Sequence, residues 1–184
     1  MSGKAKPAVR ITALTASDVD GLCALAAEIW RAHYPAIISA AQIEYMLAQR
    51  YSPAVLREEL QRGDMWWDQL LVNGRMIGFA SYFTTRTPGE MKLDKLYVRP
   101  DQQRHGYGGM LIAHTCERAK HLGYRTVTLA VNKRNTKAIA AYRKHGFDIR
   151  ETSVKEIGGG FIMDDYIMAK SVSAFPSPAD RTGT

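Results

Sequence analysis

The chain has 184 residues, 46% of them hydrophobic and 23% charged, with 25 Lys and Arg against 18 Asp and Glu for a net charge of +7. That length suits one domain and is short for two, and no run of about 18 apolar residues exists to span a membrane. Its two cysteines, Cys23 and Cys116, sit in no C-x-x-C or Cys/His ligand spacing, which argues against a disulfide scaffold and a structural zinc site and makes a reducing cytoplasm the expected compartment. Basic residues near the N-terminus are followed by no apolar stretch, so that segment does not read as a secretory signal.

Residues 9–14 alternate and predict a strand. Thr15, three residues ahead of Asp18, marks a helix start, and Leu22, Leu25, Ala26, Ile29 and Trp30 then recur at helical spacing until Tyr34-Pro35 interrupts. Ser39 caps a second helix carrying Ile43, Met46 and Leu47. Ser52-Pro53 stops it and opens a short third helix through Val55, Leu56 and Leu60. Three antiparallel strands follow at 65–72, 75–84 and 91–98, with turns at Asn73-Gly74 and Thr87-Pro88-Gly89; Trp66-Trp67 at the first strand's start is expected to add core on one side only. The pattern then switches. A helix opens at 106–109, carries Leu111, Ile112, Thr115, Ala119 and Leu122 on one face, and ends at Gly123. A strand at 126–131, a helix capped by Asn135 and ending at Gly146, and a strand pair at 147–157 and 161–169 around Gly158-Gly159-Gly160 complete the order. Strand–helix–strand–helix–strand here implies a crossover and at least one parallel pair. The expected organisation is a single domain over 9–170 with flexible ends at 1–8 and 171–184.

The excess charge is concentrated. From Arg99 to Lys155 there are 12 Lys and Arg against 4 Asp and Glu, so this third of the chain faces an anionic partner: a phosphorylated cofactor, nucleic acid or an anionic membrane. Within it a strand ends at Val98, a polar loop follows, and Gly106, Gly108 and Gly109 lead into an amphipathic helix. Unpaired N–H groups at a helix N-terminus, close approach permitted by glycine, and Arg99 and Arg104 nearby make a cradle for a diphosphate. It is neither a dinucleotide fingerprint, because Leu111 stands where a third glycine would be, nor a Walker loop, which needs G-K-S/T.

Gln103, Gly106 and Gly108 match Q/R-x-x-G-x-G/A. Asn135, Ala138, Tyr142, Gly146 and Phe147 match a second pattern, N-x-x-A-x-x-x-Y-x-x-x-G-F, after a strand. Two spaced signatures in this order make the chain resemble the GNAT superfamily of acetyl-CoA-dependent N-acetyltransferases, over nearly all of it except the tail. The resemblance implies an α/β (α+β) fold: a central, mixed and mostly antiparallel sheet of about seven strands, flanked by about four or five helices and splayed between the fourth and fifth strands.

It also implies roles. Backbone groups of Leu96, Tyr97 and Val98 would pair with the pantetheine arm of acetyl-CoA, and an N–H there would stabilise the oxyanion. Amides of Gln103, Arg104, His105, Gly106, Tyr107, Gly108 and Gly109 would hold the pyrophosphate, Asn135 would hydrogen-bond the cofactor, and Arg99, Arg104, Lys137 or Lys144 would meet other phosphates. The amine would attack the thioester directly, and Tyr142 would protonate the departing thiolate; its plain alternative is a core aromatic. Positions where relatives carry a catalytic Glu fall at Ala130 and Lys92, so the base is open. Among Glu90, Lys92 and Asp94, which alternation places on one face, Asp94 is the preferred base, with water-mediated transfer its equal rival.

Glu28, Tyr34, Glu44 and Tyr45 are candidates for an amine pocket, with Asp94 at its edge, and Asp164 and Asp165 could attract an ammonium or simply flank the hairpin. The expected partner is a small amine or polyamine, or a protein N-terminus, with neither nucleic acid nor membrane involved, no metal, and a homodimer left open. His114 and His121 read as surface residues. A non-catalytic acyl-CoA sensor is a further reading. A nucleic-acid module is disfavoured, because the basic third is interrupted by glycines and apolar helix positions.

Overall fold

The computed structural model describes residues 7–172. Of the ends expected to be flexible, residues 1–6 and 173–184 lie outside the described residues. The chain runs β1 (Val9–Ala13), α1 (Val19–His33), α2 (Ala40–Arg50), α3 (Pro53–Leu60), β2 (Met65–Val72), β3 (Arg75–Thr84), β4 (Glu90–Val98), α4 (Tyr107–His121), β5 (Thr126–Asn132), α5 (Thr136–Lys144), β6 (Asp148–Gly158) and β7 (Phe161–Ser171). Short 3-10 turns at Ala16–Asp18, Tyr34–Ala36 and Pro100–Gln102 link some of them. The seven strands form one sheet in the order β1-β2-β3-β4-β5-β7-β6, antiparallel throughout except for β4 beside β5. This is the mixed, mostly antiparallel sheet with five helices that the sequence predicts. β7 continues one pairing past the expected domain edge, with Ser171 opposite Thr126 and Val172 buried behind it. Among the described residues, no helix is long and apolar enough to cross a membrane.

Local chemistry accounts for the helix boundaries. Ser39 and Ser52 accept hydrogen bonds from the N–H groups of Gln42 and Val55, Pro53 takes the first position of α3, and Asn135 accepts from Ala138 N–H. Thr15 and Asp18 form a reciprocal box ahead of α1.

Helices cover both faces of the sheet. On one side Leu111, Ile112, Cys116 and Ala119 of α4 pack on Leu70, Tyr82, Met91 and Leu129; on the other, Leu22, Ile29, Ile43 and Leu56 of α1–α3 pack on Met65, Trp67 and Phe79. The central strands are therefore buried on both faces and read as near-continuous apolar runs. That is why Trp66 and Trp67 both contribute core, contrary to the one-sided expectation: Trp67 joins the α1–α3 layer, while Trp66 stacks on Tyr82 in the α4 layer.

Two features fix the sheet's middle. Gly78 on β3 lies so close to β4 that an added Cβ would stand 2.7 Å from the Tyr97 carbonyl oxygen. A bulge at Asp94 then shifts the β3–β4 register, because Ser81 pairs with Lys95 while Tyr82 pairs with Leu93. Next to the bulge the Lys95 ammonium is buried. It lies 2.8 Å from Asp94, 3.5 Å from Glu59 of α3, and over the Trp67 ring. Asp94 in turn takes a 2.5 Å bond from Arg50 of α2, and Trp67 donates to Glu59. Burial by itself would raise the Asp94 carboxyl, but Lys95 and Arg50 outweigh it and hold the group well below its ordinary value of 3.8.

Gly78→Ala is expected to push β3 from β4 and lower unfolding stability by about 1–3 kcal/mol; an unchanged denaturation midpoint would contradict the close approach. Because the Asp94 carboxyl is depressed in the fold, its contribution is complete above its ordinary value and is lost as pH falls below it. The stability advantage of the native chain over Asp94→Asn should therefore narrow between about pH 5 and about pH 2. Urea midpoints of the two proteins at both ends of that range test this, and a constant gap would refute it.

Candidate functional site

β4 and β5 pair only from Glu90 opposite Thr126 to Leu93 opposite Leu129. Beyond that they part, and a cleft of about 950 Å³ opens between them. The expected splay is present, with the facing edges of both strands left without a ladder partner there. Leu96, Tyr97 and Val98 line the cleft from β4, and Ala130, Val131 and Asn132 line it from β5.

One end of the cleft is the start of α4. Gly106 caps the helix in the left-handed region at φ 83°, and Arg104 reaches φ 66°, a strained setting for a residue with a side chain. The first helical hydrogen bond runs from Met110 N–H to Gly106. Among the described residues, the N–H groups of Arg104, His105, Gly106, Tyr107, Gly108 and Gly109 donate to nothing. Gln103, Arg104, Gly106, Tyr107, Gly108 and Gly109 line the cleft. The His105 side chain does not; its ring nitrogen lies 3.0 Å from the Gln103 carbonyl of its own loop. Gln103 also uses its side chain structurally, donating to the Val98 carbonyl and tying the loop to the end of β4. Lys137 and Lys144 of α5 stand on the same rim. Arg99 does not, because it pairs with Glu28 and Asp101.

Asn135 lies on the wall with both ends of its side-chain amide in use. Its oxygen caps α5, and its Nδ2 donates to Nε2 of His33 at 3.2 Å. Burial, the largest influence, lowers the His33 pKa below its ordinary value. Tyr142 packs edge-on to Phe147 and faces the cleft from α5. No hydrogen bond holds its hydroxyl among the described residues, and burial pushes its pKa to about 12.

The opposite end of the cleft is roofed by α1 and α2. The Tyr34 and Tyr97 hydroxyls bond to each other at 3.0 Å within a cluster that includes Trp30, Tyr51 and Phe79, and burial drives both pKa values far up. Tyr45 donates to the Ile157 carbonyl, Gln42 donates to the Ile162 carbonyl, and Arg134 donates to the carbonyls of Ala36 and Ile37. Of the expected acceptor residues, Tyr34 and Tyr45 line the cleft; Glu28 and Glu44 do not, being drawn into ion pairs with Arg99 and Arg31. Glu90 does not line the cleft: it sits at the far end of the closed β4–β5 pairing, bonded to Arg150 and Thr128.

Asp94 lines the cleft, but its role needs correction. A carboxylate held ionised by Arg50 and Lys95 is a poor acceptor for an amine's proton. Arg50, Tyr51 and His33 escaped sequence reading because each reaches the site through contacts across distant parts of the chain. Of the two acids expected either to attract an ammonium or to flank the hairpin, Asp165 lines the cleft, while Asp164 pairs with Lys133 outside it. Among the described residues no cluster of His, Cys, Asp and Glu is placed to hold a metal.

Comparisons with known proteins agree with this arrangement. The spermidine N(1)-acetyltransferase of Thermoplasma acidophilum is 26% identical over 160 residues, covering 85% of this chain and 96% of that protein. The ribosomal protein bS18 alanine N-acetyltransferase of Escherichia coli K12 is 38% identical over 80 residues, covering 44% of this chain and 53% of that protein. The fold superposes on the PaiA N-acetyltransferase of Thermoplasma acidophilum, solved in complex with coenzyme A, with a TM-score of 0.77 at 24% identity, covering 89% of this chain and 99% of that one. The family model described as Acetyltransferase (GNAT) family matches residues 24–147. With that match spanning the α4 loop, the splayed strands and α5, the chain belongs to the acetyltransferase (GNAT) family and is an N-acetyltransferase of that family.

Proposed function

We propose that the protein moves the acetyl group of acetyl-CoA to the nitrogen of a small primary amine or a polyamine by direct attack, without an acyl-enzyme. The carrying observation is the run of backbone N–H groups from Arg104 to Gly109 that find no acceptor among the described residues and stand at the mouth of a cleft through the sheet. Such a nest, at the positive end of α4 and flanked by Arg104, Lys137 and Lys144, suits a diphosphate. Beyond Leu93 the edge of β4 that faces β5 has no strand partner, and apart from the Val98 carbonyl held by Gln103 it offers the hydrogen-bonding row that an extended amide-bearing arm such as pantetheine needs. Bound acetyl-CoA supplies an activated acetyl thioester.

The protein's own groups supply the rest. A backbone N–H of β4 in the gap is the candidate donor to the carbonyl oxygen as charge develops on it. Tyr142 is the candidate acid: with its pKa pushed to about 12 it stays protonated across the physiological range and carries a free O–H in the cleft. The spermidine-acetylating relative, aligned over most of both chains, supports a polyamine or similar small amine. A second reading, a protein N-terminus as acceptor, is supported by the bS18-alanine relative over the shorter segment it matches.

Calorimetry with CoA and a thiol-release assay across an amine panel test this reading; a protein that fails to bind CoA would refute it. Two variants sharpen it. An added Cβ at Gly108 meets nothing within 4 Å, so Gly108→Val should leave the denaturation midpoint nearly unchanged. It should nevertheless weaken CoA binding by about tenfold, the equivalent of one charge-assisted hydrogen bond. Equal affinity would place the diphosphate elsewhere. Tyr142→Phe should lower kcat by about 10²-fold or more with CoA affinity retained; undiminished turnover would remove the acid role.

A further inference from the structure

We propose that Asp165 is the carboxylate that receives the acceptor's ammonium group in the cleft and takes its proton. This rests on the acetyl-transfer reading above and adds to it the acceptor anchor and base that Asp94 does not provide.

The geometry singles Asp165 out. Met163, Asp165 and Ile167 alternate on the face of β7 that lines the cleft, with Asp165 opposite Asn132 of β5 and Ser153 of β6. Its Oδ1 is buried and has no hydrogen-bond partner among the described residues. The other candidates in the cleft are committed. Asp94 is bound by Arg50 and Lys95, the His33 Nε2 accepts from Asn135, and the Tyr34 and Tyr97 hydroxyls bond to each other. A buried carboxylate oxygen without a donor is an anion short of hydrogen bonds, and an ammonium brings three N–H donors.

Several titratable groups lie near Asp165: Lys92 of β4, Lys155 of β6, Lys133 of the turn after β5, Asp164 of its own strand, and the neutral Tyr34 hydroxyl of the roof. None of the lysines forms an ion pair with it; Lys92 approaches Asp94 instead, and Lys133 holds Asp164 at 2.5 Å. Burial raises the Asp165 carboxyl above its ordinary 3.8 more than Lys92 and the other lysines lower it, which brings it nearer an amine's range.

The step balances. The bound ammonium, R–NH3+, gives one proton to the Asp165 carboxylate and becomes R–NH2. The nitrogen lone pair forms the C–N bond to the acetyl carbonyl carbon, and the C–S bond breaks with its electron pair on sulfur. The thiolate takes a proton from the Tyr142 hydroxyl, which is restored by the second proton leaving the nitrogen. The proton on Asp165 then passes to solvent, so amide, thiol and one proton are the products.

Steady-state acetylation of spermidine, 1,4-diaminobutane and an Ala-initiated peptide, across pH at saturating acetyl-CoA, tests the assignment. With whichever amine the native protein turns over best, Asp165→Asn should lower kcat/KM by about 10²-fold near neutral pH. The deficit should shrink toward about pH 10, where the amine loses its own proton. CoA affinity should be unchanged, and Glu156→Gln, which removes an exposed carboxylate of the same hairpin outside the cleft, should match the native protein. Calorimetry of the same three amines into CoA-saturated protein gives a readout without turnover: Asp165→Asn should weaken binding by about tenfold, the loss of one ion-paired hydrogen bond. An Asp165→Asn protein with native kcat/KM, pH profile and amine affinity overturns this proposal alone. A native protein that does not bind CoA overturns the acetyl-transfer reading on which it rests.

Discussion

The parting of β4 from β5 after Leu93 and Leu129 is the constraint on which the rest of the molecule depends. Two parallel strands that stay together bury their polar edges in each other. Once they separate, those edges need other partners, and the space between them must be walled. The helix starting at Tyr107 and the one starting at Thr136 wall it on one side, while the first two helices cover it on the other. The opening thus runs through the sheet, so a group brought along one face meets a group brought along the other. A closed sheet with the same side chains would keep those faces apart.

Covering such an opening with helices carries an electrostatic cost, met by the ion network at its edge. Arg50 comes from the second helix, Glu59 from the third, Trp67 from the second strand, and Asp94 and Lys95 from the bulged fourth strand. Buried charges are tolerated when each has its opposite in hand, and removing one member leaves the others exposed to a low-dielectric interior. The bulge is what lets two successive residues of one strand, Asp94 and Lys95, pair with each other, since regular alternation would point them to opposite faces.

Much of this was legible in the residue order. Ser39, Ser52 and Asn135 announce their helices because capping is local, and Asn73-Gly74 announces its hairpin for the same reason. The glycine-rich start of the fourth helix and the spacing from Asn135 to Phe147 were readable because each lies within one element and its flank. What sequence could not convey is pairing between distant segments. Glu28 and Glu44 looked available until Arg99 and Arg31 were found beside them. Asp94 looked like a proton acceptor until Arg50, more than forty residues away, was found bonded to it. Trp66 and Trp67 alternate as a half-buried strand does, yet helices on both faces bury both. The same limit left Asp164 and Asp165 undistinguished, because the orphaned oxygen of Asp165 is visible only once its neighbours are in place.

The helical cover is attached to the sheet by directional bonds as well as by apolar packing: Tyr45 and Gln42 reach carbonyls of the last hairpin, and Arg134 reaches those of Ala36 and Ile37. Apolar contact is non-directional, whereas a donor either meets a carbonyl or misses it. The chamber's dimensions are therefore stepped. Re-seating Tyr45 on the next carbonyl that faces the same way, two residues along the hairpin, would shift that wall by about 6.6 Å, twice the rise of a strand residue. An offset between those two settings would leave the Tyr45 hydroxyl facing no acceptor, so the bond holds the wall at one of them.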